Sequence, residues 1–393
     1  MKEKITLFLL LLTLPIMAQW KNETLEHGGI IREYRIYIPS HYQDSKPASL
    51  VFALHGLSQS MIEFSRIIAI EKLAEEENII VVCPQGLARS ALGFKVTGWN
   101  SGASFATLDI NEFRDIDDVG FIRSLVNKFS NQYTINPDNI FAFGFSMGGF
   151  MTQRLALELS DKIQSFASVA GTIGNGILPI APDIPARPVS IAHFHGTEDE
   201  IVGYDNNAFG LNVDNLIDFW KTHNLGGLNP EHFIFPKITK DAMTVERFTY
   251  TSNFNDTEVV LFKVNNGPHN IWLREGINDI SYTDEIWKFF KKTSTLANPS
   301  WEALQTELAV YPNPLTGNQI NIRLSGHQQY ENEACTVIVY DGIGRAIIHE
   351  KCKLISGNGT ITARDLPNGG MYWVEVTGIE KRFKAHKKLL INR

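Results

Sequence analysis

Short, unbroken runs of apolar residues recur along the first three quarters of the chain, and each stops at a glycine or a turn. SLVFALHG (49–56), IIVVCPQG (79–86), NIFAFGFS (139–146), SFASVAG (165–171) and SIAHFHG (190–196) are the clearest. A strand with one wet face alternates polar and apolar positions, whereas an unbroken run has both faces covered, so these segments predict the strands of a mainly parallel sheet. Amphipathic segments of helical period lie between them. DIDDVGFIRSLVNKFSNQY (115–133) brings Val119, Ile122, Val126 and Phe129 onto one stripe. Its aspartates Asp115, Asp117 and Asp118 stand at the start, where the helix dipole favours negative charge. GGFMTQRLALELS (148–160) follows Ser146 in the same way. The alternation predicts an α/β domain over residues 28–293.

The rhythm breaks at 294–306, STLANPSWEALQT, which reads as a linker. Residues 307–393 have another character. CTVIVYDGIGRAIIHEKCKL (335–354) has the form of a hairpin, and MYWVEVTG and RFKAHKKLLIN add further strands, so a small all-β sandwich is expected. Cys335 and Cys352 flank that hairpin and are candidates to face each other. The basic end, Lys381 to Arg393, reads as a solvated edge strand, since lysines there discourage edge-to-edge pairing.

The first residues, MKEKITLFLLLLTLPIMAQW, have the layout of a secretory signal peptide over 1–18: a basic start, a short apolar run and a small residue near the cut. The alternatives are a buried helix or an uncleaved anchor. The run is short for a bilayer span, and no other stretch approaches one. With a net charge of -7 the chain lacks the basic footprint of a nucleic-acid binder. Hydrophobic residues at 44% and charged residues at 20% are ordinary for a globular protein. Three cysteines are too few for a dense disulfide framework, and Cys83 reads as a small buried hydrophobe.

The candidate chemistry starts at Gly144-Phe145-Ser146-Met147-Gly148, a G-x-S-x-G sequence with a strand before it and a helix after it. Such a corner lifts a serine hydroxyl above the sheet edge, and side chains in place of the glycines would collide with the neighbouring backbone. A nucleophilic serine needs a base and a group to orient that base. Asp199, in HFHGTEDEIVGY, is the preferred acid, with Glu198 and Glu200 as neighbouring alternatives. His269, in VNNGPHNIW, is the candidate base. The oxyanion would be held by the backbone N–H groups of Leu57, in LHGLSQS, and Met147. His193 and His195 share one side of a strand but lack a third metal ligand, so a structural role is preferred, with His195 supporting the acid turn. The aspartates at 115–118 lack the spacing of a calcium loop. No cofactor or metal is implied.

Together these motifs, with CPQG, GWNSG and DIDDVGFI, resemble the secreted α/β-hydrolase esterases grouped as polyhydroxybutyrate depolymerases and feruloyl esterases, over about residues 28–293. The resemblance implies a serine esterase with Ser146, Asp199 and His269 as triad, and Trp99 lining the acyl or leaving-group site. It implies acyl or feruloyl esters of polysaccharide, or polyhydroxyalkanoate, as substrate. The chain departs from that family in having Leu57 where a cysteine is frequent, and Pro268-His269-Asn270-Ile271-Trp272 where Gly-His-x-Trp is frequent. The C-terminal part, through VYPNPLTG, VYDGIGR and DLPNGGMYWVEV, is similar to the sorting domain of the type IX secretion system. This resemblance implies export to the cell surface or medium, with the secretion machinery as partner. A carbohydrate-binding sandwich is the alternative for that part. For the whole chain the alternatives are a serine peptidase of the same fold and a non-catalytic binding protein.

Overall fold

A computed structural model describes residues 19–91, 94–103, 113–177, 187–224, 229–252, 257–274, 276–296, 307–325, 333–341, 346–363, 366, 369–378 and 384–391. The leader read over 1–18 and most of the linker 294–306 lie outside the described residues. The elements begin with β1 (Lys21–His27), β2 (Ile30–Tyr37), β3 (Ala48–Leu54), α1 (Met61–Ile68), α2 (Glu71–Glu77) and β4 (Ile79–Pro84). A small hairpin, β5 (Leu87–Ala91) and β6 (Phe94–Gly98), precedes α3 (Asp118–Gln132), β7 (Ile135–Phe145), α4 (Met147–Glu158) and β8 (Ser165–Val169). Then come β9 (Ser190–Gly196), α5 (Val213–Asn224), β10 (Glu231–Ile234), β11 (Thr244–Thr251), β12 (Glu258–Asn265) and α6 (Tyr282–Leu296).

Among the described residues, ten strands form one sheet in the order β1-β2-β4-β3-β7-β8-β9-β12-β11-β10. The inner strands β4, β3, β7, β8, β9 and β12 run parallel, and both flanks are antiparallel. The apolar runs are the parallel strands, and successive residues feed opposite faces. Leu50, Phe52 and Leu54 of β3 join a core with side chains of α3, α4 and α5, whereas Val51 and Ala53 join one with side chains of α1 and α6. After β4 the chain crosses β3 to form β7 on its other side. The carboxyl ends of β3 and β7 therefore open a crevice at a topological switch point, the usual place for a ligand in an open α/β sheet.

The helical stripe of α3 is broader than the pattern predicted. Phe121, Ile122, Leu125, Val126 and Phe129 are its buried apolar residues, and Val119 is half-buried. The three aspartates also divide their work. Asp117 caps the helix by accepting the Gly120 N–H, and Asp115 lies before it, 3.5 Å from Arg89. Asp118 is buried against Arg32 of β2 at 2.6 Å and accepts the Asn100 N–H.

The C-terminal strands are β13 (Glu307–Tyr311), β14 (Gln319–Ser325), β15 (Glu333–Tyr340), β16 (Ala346–Leu354), β17 (Asn358–Thr362), β18 (Gly370–Gly378) and β19 (Lys384–Ile391). They form a sheet β13-β14-β17 and a sheet β16-β15-β18-β19, all antiparallel, whose apolar faces share one core. Cys335 and Cys352 are directly paired in register across β15 and β16, and no disulfide joins them. The basic strand β19 is an edge strand, with Lys387 exposed.

Candidate active site

Ser146 sits between β7 and α4 with φ 54° and ψ -120°, a left-handed conformation that costs an L-residue on the order of 1–3 kcal/mol. Its neighbours hold it there. The Ser146 N–H donates to Val169 O at 2.8 Å, and α4 starts at the next residue. The glycines are required by close backbone approach. A Cβ at Gly148 would lie 2.1 Å from Leu54 O, and one at Gly144 would lie 2.2 Å from Gly148 O.

The structure brings Ser146, Asp199 and His269 together beyond the carboxyl ends of three strands, β7, β9 and β12. His269 Nε2 is 3.0 Å from Ser146 Oγ, and His269 Nδ1 is 2.7 Å from Asp199 Oδ2. A carboxylate only accepts, so Nδ1 carries the proton and Nε2 presents its lone pair to the serine hydroxyl. The other Asp199 oxygen accepts the N–H groups of Ile201 at 3.0 Å and Val202 at 2.7 Å. Burial acts to raise the Asp199 carboxyl, but the hydrogen bonds and charge of His195 and His269 outweigh it and hold the group well below the usual carboxylate range. Asp199 and His269 are buried, whereas Ser146 is half-buried. Of the alternative acids, Glu200 lies 3.4 Å from the His269 N–H and does not touch the imidazole nitrogens.

The turn after β3 is rigidly tied. Gly56 N–H donates to Gln59 Oε1, Ser58 N–H to Thr97 O and Gln59 N–H to Gly56 O. The Leu57 N–H has no partner among the described residues. His55 determines where that N–H points. The Gly86 N–H donates to His55 Nε2 at 2.9 Å, so the ring proton is on Nδ1, and Nδ1–H donates to Gly56 O at 2.8 Å. In a trans peptide the carbonyl and the next N–H point in opposite directions, so holding Gly56 O toward His55 turns the Leu57 N–H away from it. Burial pushes the His55 pKa down to about 4, which keeps the ring neutral. The Met147 N–H, at the first position of α4, has no intrahelical acceptor. Both amides predicted for the oxyanion are therefore without an acceptor among the described residues, Met147 directly after Ser146 and Leu57 in the turn after β3.

Trp99 is not on the cleft wall that the motif resemblance suggested for it. It is 1% exposed, and its Nε1–H donates to His55 O at 2.8 Å. That bond ties the buried indole to the 55–57 turn. Trp272, three residues after His269, is half-buried and borders a cleft beside the triad, whose three residues do not line it. The cleft, of about 460 Å³, is also lined by Phe145, Ile67, Ile271, Gln59 and Arg274. The Phe145 ring also packs on His269 at 5.4 Å. The Trp272 signal was present in the sequence as a tryptophan close after the candidate base. His55 was visible only as the residue before a Gly-Leu turn. Both ring nitrogens of His193 and of His195 are hydrogen-bonded inside the protein, which leaves no lone pair for a metal.

Residues 41–243, just over half of the chain, match the family model described as Phospholipase/Carboxylesterase. The chain belongs to this family. The phospholipase/carboxylesterase match includes the strand–serine–helix corner at 144–148 and Asp199 but ends before His269. Residues 309–392 match the model of a secretion system C-terminal sorting domain. Among curated proteins, the chain is 27% identical over 183 residues to the bifunctional acetylxylan esterase/xylanase XynS20E of Neocallimastix patriciarum, covering 47% of this chain and 24% of that one. It is 29% identical to feruloyl esterase B of Piromyces equi, covering 44% and 30%. It is 27% identical over 313 residues to feruloyl esterase D of Neurospora crassa, covering 74% and 97%. The chain thus spans less than a third of the length of the first two relatives. The solved ferulic acid esterase Fae1A of Anaeromyces mucronatus is 19% identical, covering 72% of this chain and 92% of that one, with a TM-score of 0.46. No helix among the described residues is long and apolar enough to cross a membrane.

Proposed function

We propose that the chain is a secreted serine carboxylic-ester hydrolase. The observation that carries this reading is the unbroken line of contacts Ser146 Oγ–His269 Nε2 and His269 Nδ1–Asp199 Oδ2, at 3.0 and 2.7 Å. Ser146 Oγ attacks the ester carbonyl while His269 Nε2 takes its proton. Asp199 holds the imidazole in the required tautomer and stabilises the imidazolium. The Leu57 and Met147 N–H groups receive the oxyanion, a contribution worth on the order of 10² to 10³ in rate per donor. The tetrahedral intermediate collapses, the C–O bond breaks, and the leaving alcohol takes the proton back from His269. Water, deprotonated by the same imidazole, then releases the acid from the acyl-enzyme. Trp99 serves by bracing the oxyanion turn.

Acyl or hydroxycinnamoyl esters on plant polysaccharide are the favoured substrates. The relatives' names point that way, and a cleft walled by Trp272 and Phe145 suits a flat aromatic acyl group. Polyhydroxyalkanoate is the second substrate to test. The division into a leader (1–18), a catalytic part (28–293, with β1 completing its sheet), a linker (294–306) and a sorting part (307–393) belongs to this proposal. The match at 309–392 supports export through the type IX machinery. The test is turnover of p-nitrophenyl acetate, methyl ferulate, polyhydroxybutyrate and a peptide amide by wild type and Ser146→Ala. Ester turnover lost in the variant is expected. Equal ester turnover by both would remove the mechanism, and amide cleavage without ester preference would indicate a peptidase.

A further inference from the structure

Behind the acid turn runs a buried polar chain that the acyl-transfer chemistry above does not use. Trp220 Nε1 on α5 is 2.8 Å from Gln153 Oε1 on α4, and Gln153 Nε2 is 2.7 Å from Ser168 Oγ on β8. Ser168 Oγ is 2.7 Å from His193 Nδ1, and His193 Nε2 is 2.9 Å from His195 Nδ1, both histidines being on β9. His195 Nε2 is 2.7 Å from Val202 O and 3.3 Å from Asp199 Oδ2. None of these five side chains is more than 1% exposed.

The two ends fix the direction of every proton between them. An indole N–H can only donate, and a peptide carbonyl and a carboxylate can only accept. Gln153 therefore turns its oxygen to Trp220 and its N–H to Ser168. Ser168 has one hydrogen, which goes to His193 Nδ1. His193 is then protonated on Nε2 and donates to His195 Nδ1, leaving His195 protonated on Nε2, toward Val202 and Asp199. Burial and the neighbouring His195 hold the His193 pKa well below its ordinary value, so the ring is neutral, as this arrangement needs. The bond dipoles add in one direction, with the positive end at the acid turn.

We infer that His193 and His195 are positioning residues, and that the one-way hydrogen-bond chain from Trp220 to the 199–202 turn keeps the Asp199 carboxylate ionised and aimed at His269. The inference rests on the triad reading above. The bond to Val202 O completes a two-sided clamp, because the Val202 N–H donates to Asp199 Oδ1. Other titratable groups around this turn are Tyr204, edge-on to His195, Lys263 over the Tyr204 ring, Tyr282 near Asp199, and Glu200.

Two perturbations test the chain at different points in the full-length protein, read as kcat, KM and melting temperature on p-nitrophenyl acetate. His195→Leu removes the last donor, whereas His195→Gln can still present an N–H near the Nε2 position. Gln153→Glu is nearly isosteric and far from Ser146, but its carboxylate demands the Ser168 hydrogen and so reverses the chain or forces a charge onto His193. A hydrogen bond to a charged group corresponds to roughly tenfold to a hundredfold in rate. That loss is expected in kcat for His195→Leu and Gln153→Glu with KM unchanged, and His195→Gln is expected to recover most of it. The downfield imidazole N–H resonances are expected to shift in Gln153→Glu at unchanged melting temperature. Wild-type kcat in both His195→Leu and Gln153→Glu would overturn the inference. So would a kcat loss that tracks melting temperature and is not rescued by glutamine. Ester turnover surviving in Ser146→Ala would instead overturn the triad reading, and this inference with it.

Discussion

Protonating His55 should destabilise the fold by a predictable amount. The ring accepts the Gly86 N–H at Nε2 and donates from Nδ1 to Gly56 O. A second proton on Nε2 would face that N–H and the Gln85 amide, 3.0 Å away. Burial lowers the pKa from an ordinary 6.5 to about 4. Between those values the unfolded chain takes up a proton that the folded chain refuses. Stability is therefore complete above pH 6.5, falls as the pH drops, and levels off below about 4. A gap of about two and a half pH units at about 1.36 kcal/mol per unit corresponds to about 3 kcal/mol. His193 and His223, also lowered by burial, act with the same sign, so the share of His55 must be isolated by comparison. The assay is urea unfolding of wild type and His55→Gln at pH 7.5 and 4.5. Wild type is expected to lose between 2 and 3 kcal/mol, roughly, beyond the loss seen in the variant. Parallel losses in the two proteins would refute the assigned ring state, and with it the argument that His55 aims the Leu57 amide.

Further outcomes follow from the same geometry. Gly148→Ala places a Cβ 2.1 Å from Leu54 O, so a loss of about 3 kcal/mol or more is expected in thermal melts, with ester turnover abolished in any soluble fraction. Trp99→Phe keeps the packing but removes the N–H that donates to His55 O, and a fall in kcat of about fivefold with unchanged KM is expected in steady-state kinetics. Arg32→Met leaves Asp118 buried without its cation and is expected to cost about 3–5 kcal/mol, with most of it recovered in Arg32→Met/Asp118→Leu by denaturant titration. Asp199→Asn is expected to lower kcat by about 10⁴-fold, because the amide N–H favours the wrong His269 tautomer.

The parallel strands were legible because burial on both faces leaves an unbroken apolar signature, as in β3 and β4, where no residue is exposed. Strands at the sheet's ends carry no such mark. β10 is exposed along its whole length, and β1 alternates between exposed and half-buried positions. The serine corner was legible because its constraint is local, each glycine lying within two residues of Ser146. Asp199 and His269 could be proposed because chain order and strand ends restrict the choice. The orientation of the oxyanion turn was not readable, since it depends on Gly86 and Trp99, far along the chain from His55. The buried hydrogen-bond chain was likewise hidden, because Trp220, Gln153, Ser168 and His193 meet only through the packing of α5, α4, β8 and β9. Asp118 shows the converse. Its position at a helix start suggested a dipole role, but Arg32 from β2 decides its environment.

The most direct test of the central claim is peptide mass mapping after reaction with a fluorophosphonate, which traps an activated serine. The predicted result is a single stoichiometric adduct on the peptide containing Ser146, forming in parallel with loss of ester hydrolysis and absent in His269→Ala. Continued ester hydrolysis by protein fully modified at Ser146, or complete inactivation with the adduct on another residue, would contradict it.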